Sequence, residues 1–462
     1  MTLSADVAIV GAGMGGASLA AALAPRASVL LLEAEDRPGY HATGRSAAFW
    51  EESYGGPDVF PLTAASGPFL RDHGFLRPRG ALTIGREAER GQVEAMVDRF
   101  AALGVRIELL GREAIAAHVS GLRPEWRWAA WEPGCSDIDV AALHAHYLAE
   151  AQRGGVRLLT RARLAAAVRE NCGEGERAGG CGDRQAGSQQ AGSQQAGSQQ
   201  AHGQPAQGQS AQGQSAQGQS AQGQPAQGRS AANERVGDHS VENQPVGGPQ
   251  ADDRQAGPRQ AGLRPPRARR WWLTLENGAT IACDILVNAA GAWADPVARM
   301  AGARPLGIAP KRRTVVQLRT EPSAPEDLPL VLDIDERFYF KPDNGRLWLS
   351  PLDETPSEPC DSAPEEIDVA LAVERLGAVV DWRVPAVERK WAGLRSFAPD
   401  RLPVYGFDPA VQGFFWCAGQ GGFGIQTAPA AADLAAALLL GETPQGPARG
   451  IDPAPFSPQR FG

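Results

Sequence analysis

Asp6-Val7-Ala8-Ile9-Val10-Gly11-Ala12-Gly13-Met14-Gly15-Gly16 is an apolar strand running into a G-x-G-x-x-G turn, and Glu33 closes a second apolar run, Val29-Leu30-Leu31-Leu32. Each residue type answers a need of dinucleotide binding. Gly11 permits the tight turn, Gly13 lets backbone approach a pyrophosphate, Gly16 lets the next helix pack on its strand, and Glu33 accepts from a ribose hydroxyl. The phosphates then sit at the N-terminus of a helix beginning near Gly13, facing free N–H groups and the positive end of its dipole. A glycine turn in an unrelated α/β protein would leave Glu33 unexplained. The stretch therefore predicts an α/β fold with a Rossmann-like dinucleotide-binding domain.

With 462 residues, 43% of them apolar, the chain is long enough for two or three cores. Its formal net charge of −8, with no basic block outside a stretch near Arg264, argues against a nucleic-acid partner. An anionic substrate then needs local positive charge. A first strand entered by residue 6 leaves no room for a signal peptide, and no apolar run reaches transmembrane length, so the expected location is the cytoplasm, free or at a membrane surface. The six cysteines (Cys135, Cys172, Cys181, Cys283, Cys360, Cys417) contain no C-x-x-C pair and read as reduced thiols; no metal site is expected.

Residues 171–268 collapse into Gln, Gly, Ala, Ser and Pro, with the repeat Ala186-Gly187-Ser188-Gln189-Gln190 recurring from Ala191 and Ala196. Lacking Phe, Tyr, Trp, Ile and Met, and with Leu263 the only leucine, this stretch has too little apolar area to offset the entropy of ordering. It reads as a disordered insertion at a hairpin tip between strands at 163–169 and 271–275, where closure entropy grows only logarithmically with length. Beyond it, 285–291 reads as a buried parallel strand ending in a glycine turn, followed by a helix at 296–301. Strands are expected at 314–318, 337–341 and 346–350, the last two joined by the hairpin signal Asp343-Asn344-Gly345. A helix at 365–380, a strand at 413–418 and a helix from 427 to 440 complete the pattern.

Two glycine-containing loops suit a ligand lying against backbone: Gly39-Tyr40-His41-Ala42-Thr43-Gly44-Arg45-Ser46-Ala47-Ala48, and Gly419-Gln420-Gly421-Gly422-Phe423-Gly424 before the last helix. Lys311-Arg312-Arg313 opens an expected strand, and Arg395 stands among apolar neighbours in Trp391-Ala392-Gly393-Leu394-Arg395-Ser396-Phe397. A guanidinium in such a setting needs an anion, and a substrate carboxylate grips it bidentately. An interdomain ion pair is the plainer use of either arginine, as core packing is of Tyr54 and Tyr339 and a structural hydrogen bond is of His41.

Together these segments resemble the flavin-dependent D-amino-acid oxidase superfamily, most nearly its bacterial D-arginine dehydrogenase type, over nearly all the chain except the insertion. The stretches carrying the resemblance are PGYHATGRSAA at 38–48, Asp137-Ile138-Asp139 with Leu143-His144, VNAAGAW at 287–293, RPLGIAPKRR at 304–313, FYFKPD at 338–343, WAGLRSF at 391–397 and GFFWCAGQGGFGIQT at 413–427. The resemblance implies an FAD-binding Rossmann-like domain (1–50, 137–170, 269–304, 388–445) with an interleaved antiparallel-sheet (α+β) substrate domain (51–136, 305–387). It implies FAD as cofactor, bound by Gly11, Gly13, Gly16, Glu33, Thr43, Arg45, Ser46, Gly291, Gly421, Gly424 and Gln426. The family's carboxylate-binding set falls on Tyr54, Arg312, Tyr339 and Arg395, and Gly422 matches the glycine whose carbonyl receives the substrate nitrogen.

Ala81 stands where the arginine-specific type has a glutamate, and Phe49 where it has a histidine, which favours neutral or apolar side chains. Glu51 replaces a threonine and is the alternative anchor for a basic group; Phe423 replaces a tyrosine. The implied activity is oxidation of a D-amino acid to an imino acid, then a 2-oxo acid and ammonia, with a quinone or oxygen as electron acceptor. Positioning rather than a side-chain base supplies much of the rate; the substrate amine must still lose a proton, to water or solvent, so activity is expected to rise with pH. The alternatives are sarcosine- or glycine-oxidase-like amine oxidation and a non-catalytic flavoprotein.

Overall fold

A computed structural model of the chain describes residues 2–170 and 270–462. The expected insertion at 171–268, with Cys172 and Cys181, lies outside them. The strands beside it are found where expected: Leu164–Arg169 pairs antiparallel with Trp271–Leu275, bringing Arg169 opposite Trp271.

These two strands form one edge of an eight-stranded sheet, followed in order by Thr280–Asn288, Leu3–Val10, Val29–Leu32 and Arg157–Leu159. Phe414–Ala418 adds in parallel beside Thr280–Asn288, and Val404–Phe407 pairs with it. The central strands run parallel, and a parallel sheet must be covered on both faces. Alternation divides its residues accordingly. Val7, Ile9 and Leu31 join a core with Leu19 and Leu23 of helix Met14–Leu23 and Leu434 and Leu439 of helix Ala428–Leu440. Ala8, Val10, Leu30 and Leu32 join another with Trp271, Leu273 and helix Ala294–Met300. Each fully buried leucine contributes roughly 1.5–3 kcal/mol.

The second sheet has ten strands and is mainly antiparallel. Its longest pair is Ala309–Glu321 with Arg383–Phe397, so the strand expected at 314–318 begins at Ala309 and already contains Lys311-Arg312-Arg313. The boundary expected at 388 falls inside the second of these strands. Tyr339–Asp343 and Arg346–Ser350 make the expected hairpin, with Asn344 (φ 50°) and Gly345 (φ 71°) in the left-handed conformation that a type I′ turn requires. Period two sorts this sheet as well. Val316, Leu318, Val331 and Phe340 face a core closed by helix Glu366–Gly377, while Leu330, Leu332 and Tyr339 face the other side with Ala81. A small three-stranded sheet, Phe49–Trp50 with Ser136–Ile138 and Leu76–Pro78, completes the described residues. Among these residues no helix is long and apolar enough to cross a membrane, and no cluster of His, Cys, Asp or Glu is arranged to hold a metal.

Candidate active site

A cleft of about 440 Å³ runs from the glycine turn of the first sheet to the inner face of the second. At its nucleotide end Gly11 has φ +103°, and a Cβ there would lie 2.3 Å from the Ala289 carbonyl oxygen. A Cβ on Gly16 would lie 1.9 Å from the Gly11 oxygen, so Gly16 stands behind the cleft wall as the contact between helix and turn. Gly13, Met14 and Gly15 line the cleft at the helix N-terminus, with the Met14 amide donating to Thr43 Oγ1 at 3.0 Å. Glu33 is buried and accepts from the amides of Ala12 (3.2 Å) and Glu35 (3.0 Å), which aims its carboxylate along the cleft wall.

His144, quoted above only as part of the resemblance, braces this turn by donating from Nε2 to the Ala12 carbonyl at 2.9 Å. Burial lowers its pKa, which keeps the ring neutral. Thr43, Arg45 and Ser46 line the cleft, but the Arg45 donors are taken by Tyr40, Ser362 and Ala392 carbonyls and by Asp361. Arg45 thus ties its loop to the second sheet. His41 meets Glu35 Oε1 at 3.0 Å. Gly291, Gly421, Gly422 and Gly424 also line the cleft.

Gln426 does not line the cleft. Its Nε2 donates to the Tyr54 carbonyl (3.1 Å) and Thr63 Oγ1 (3.0 Å), and its Oε1 accepts from the Glu51 amide, so it holds the Tyr54 loop from behind. Its amide, expected at the cofactor, is thus spent on the Tyr54 loop. Sequence adjacency to Gly424 could not show which way this amide points.

At the far end Arg395 Nη1 donates to the Tyr54 hydroxyl at 2.8 Å, and Arg395 and Tyr339 line the cleft. The expected second guanidinium, Arg312, does not face it. Arg312 is bound by Glu365, by Asp368 at 3.0 Å and by Asp353 at 3.7 Å, beside helix Glu366–Gly377. The cleft instead receives Arg313, because successive side chains of a strand point to opposite faces. Arg313 Nε donates to the Asp353 carbonyl at 2.9 Å and Nη2 to Glu354 Oε1 at 3.5 Å, with the Asp353 carboxylate at 3.9 Å from Nε, while Nη1 is buried without a partner. Burial and the nearby Arg395 charge push its pKa down to about 10, so it remains a cation at neutral pH. Arg312→Met should therefore lower Tm by roughly 5 °C by stranding its carboxylate partners, while leaving KM within about twofold. A rise in KM comparable with that of Arg313→Met would restore Arg312 to the site.

Phe49, Ala81, Leu330, Leu332 and Tyr339 form an apolar cluster, with the Phe49 ring 5.2 Å from Tyr54 and 6.0 Å from Tyr339. Glu51 lies outside the cleft lining. It is buried, with Oε2 unpartnered, and burial followed by the Glu132 charge raises its pKa well above the usual carboxylate range.

The family model described as FAD dependent oxidoreductase (DAO) matches residues 6–199 and 259–438. A curated relative, FAD-dependent oxidoreductase domain-containing protein 1 of Xenopus laevis, is 27% identical over 198 residues, 39% of this chain and 39% of the relative. The match thus spans about two fifths of that relative's length. Among solved structures, glycine oxidase from Geobacillus kaustophilus has a TM-score of 0.66 at 18% identity, covering 99% of this chain and 98% of its own. L-proline dehydrogenase from P. horikoshii has a TM-score of 0.69 at 16% identity, covering 100% and 98%. At such identities these two structures speak for the fold.

Proposed function

The chain belongs to the DAO family of FAD-dependent oxidoreductases, with FAD as its cofactor, and from that premise we propose that it oxidises D-α-amino acids at the α-carbon. The observation that carries the reading is the meeting of Arg313 and Arg395, from strands of distant sequence, on one cleft wall beside Tyr339, with Tyr54 held by Arg395. Although Glu354 and Asp353 meet the other side of the Arg313 guanidinium, its Nη1 is a buried donor without a partner beside a second guanidinium, and an acceptor there removes that cost. A carboxylate matches that demand, since both its oxygens accept from the planar forks.

The glycine cradle fits the cofactor, because the Gly11 and Gly16 positions leave no room for a side chain and Glu33 is aimed by two amides. When bound, FAD supplies the two-electron oxidant that takes a hydride from the substrate α-carbon, and the imino acid hydrolyses in water to a 2-oxo acid and ammonia. The protein's part is positioning. Arg313, Arg395, Tyr54 and Tyr339 hold the carboxylate, and the Gly422 carbonyl receives the nitrogen. A Cβ at Gly422 would lie 2.5 Å from the Tyr54 hydroxyl and 2.8 Å from Arg395 Nη1, so only glycine leaves this corner open. Phe49, Ala81 and Leu332 favour a neutral, apolar side chain, because a guanidinium among them would stay unpaired. The cofactor side is proposed to comprise 1–50, 137–170, 269–304 and the segment after 397, and the substrate side 51–136 and 305–397.

Anaerobic mixing of the FAD-loaded protein with D-alanine, D-leucine and D-arginine, their L-forms, glycine and sarcosine tests this. D-Leucine and D-alanine should bleach the visible flavin band, D-arginine more than about tenfold more slowly, and the L-forms not at all. Bleaching by glycine or sarcosine alone would favour a small-amine oxidase, and none with any compound a non-catalytic flavoprotein.

A further inference from the structure

The segment carrying Tyr54 is held by side chains from elsewhere in the chain, and we propose that one of them, Glu132, is a positioning residue for substrate binding: its carboxylate holds the amides of Glu52 and Ser53 and thereby sets the Tyr54 hydroxyl against Arg395. This rests on the reading of Arg395 and Tyr54 as part of a carboxylate clamp.

Glu132 ends strand Trp126–Glu132, opposite Ala81 in the second sheet, and is buried. Its Oε1 accepts from the Glu52 amide at 2.6 Å and its Oε2 from the Ser53 amide at 3.3 Å. Both oxygens thus engage successive amides just before Tyr54. Gln426 forms the second fastening, to the Glu51 amide and the Tyr54 carbonyl. The next two residues, Gly55 (φ +98°) and Gly56 (φ +82°), have no side chains to pack, so beyond the turn's own bonds from the Tyr54 and Gly56 amides to the Glu51 and Ser53 carbonyls, these two fastenings tie its backbone to the rest of the chain. The Tyr54 ring lies between Phe49 and Phe423, at 5.2 and 5.3 Å, and its hydroxyl reaches Arg395 at 2.8 Å. Movement of the 52–53 backbone would carry that hydroxyl with it.

The fastening depends on charge. A carboxylate offers acceptors to both amides, whereas a proton on either oxygen places a donor against an N–H. Around Glu132 stand Glu51 and Glu52 on the same loop, Cys135 and Asp137 in the following segment, Lys341 on strand Tyr339–Asp343, and Arg71 on helix Phe60–Asp72 beside Glu52. The Lys341 ammonium is already bound to Asp137 at 2.6 Å. Burial first, and then the Glu52 charge, push the Glu132 pKa up to about 7, against hydrogen bonding from the Ser53 hydroxyl and from the Glu52 and Ser53 amides, which lowers it. The acid form therefore gains population as pH falls through neutrality, and the clamp loosens in that direction.

The test uses the FAD-loaded full chain and propionate, a carboxylate without an amine, with Kd read from the perturbation of flavin absorption between pH 6 and 9. In the wild type Kd should rise about five- to tenfold from pH 8.5 to pH 6, the worth of one hydrogen bond. Glu132→Gln, which offers one acceptor at every pH, should give a flat profile near the weak limit. Tyr54→Phe should also lose the step, because the group being positioned is gone, and it carries the test if Glu132→Gln fails to fold. A step surviving in either variant overturns the role of Glu132 alone. Absence of propionate binding by the wild type at every pH overturns the clamp, and this proposal with it.

Discussion

Replacing Arg395 with methionine should lower kcat/KM for the amino-acid substrate by roughly a thousandfold, from the loss of two charge-assisted hydrogen bonds worth about 4 kcal/mol together. Carboxylate anchoring acts in both the ground state and the transition state, so most of the loss should appear in KM. A smaller fall in kcat should follow from poorer aim of the α-hydrogen. Removing Arg395 also strips the Tyr54 hydroxyl of its donor, so Arg395→Met should resemble Arg395→Met with Tyr54→Phe more than additivity predicts. Arg313→Met should act in the same direction, and the Arg313–Arg395 double variant should fall short of the summed effects, as the proposed grip of both forks on one carboxylate requires. Arg312→Met is the internal comparison, one residue away on the opposite strand face. Steady-state kinetics on these variants measure all of this; equal losses at Arg312 and Arg313 would refute the assignment.

Gly16→Val should yield protein without bound flavin, or with FAD affinity reduced by at least about a hundredfold. A Cβ at this position would lie 1.9 Å from the Gly11 carbonyl oxygen, so helix Met14–Leu23 must move away from the turn that orients its N-terminus. Gly11→Ala should act similarly, since its Cβ would meet the Ala289 carbonyl oxygen at 2.3 Å and φ is +103°. Gly15→Ala is the contrast: its nearest neighbour, at 3.0 Å, is the end of the flexible Gln420 side chain, which can turn aside. Flavin content after purification and FAD titration of the apoprotein give the ordering. Equal FAD affinity in Gly15→Ala and Gly16→Val would mean that steric closure of the turn is not what the glycines provide.

What could be read from sequence follows the range of the interactions concerned. The glycine turn, the hairpin at 343–345 and the pairing of 164–169 with 271–275 rest on local backbone demands or on neighbouring strands, and each is found. Arg312 is different. Lys311-Arg312-Arg313 carries no apolar alternation to reveal which residue faces inward, and both arginines are buried and meet carboxylates, but only Arg313 lines the cleft. A one-residue shift in a strand exchanges the faces, so the segment was legible and its parity was not. Gln426, Glu132 and His144 act through contacts with residues far away in sequence, including Tyr54, Ser53 and Ala12. No spacing rule encodes such pairs.

A carboxylate gripped beside the flavin is the central requirement of the proposed reaction. The direct measurement is anaerobic reduction of the FAD-loaded protein by D-alanine and by D-alaninamide, which share the α-hydrogen and the amine and differ in the acid group. Reduction by the acid should be at least about a hundredfold faster at equal subsaturating concentration, and that preference should be lost in Arg395→Met. Equal rates with the two compounds in the wild type would contradict it.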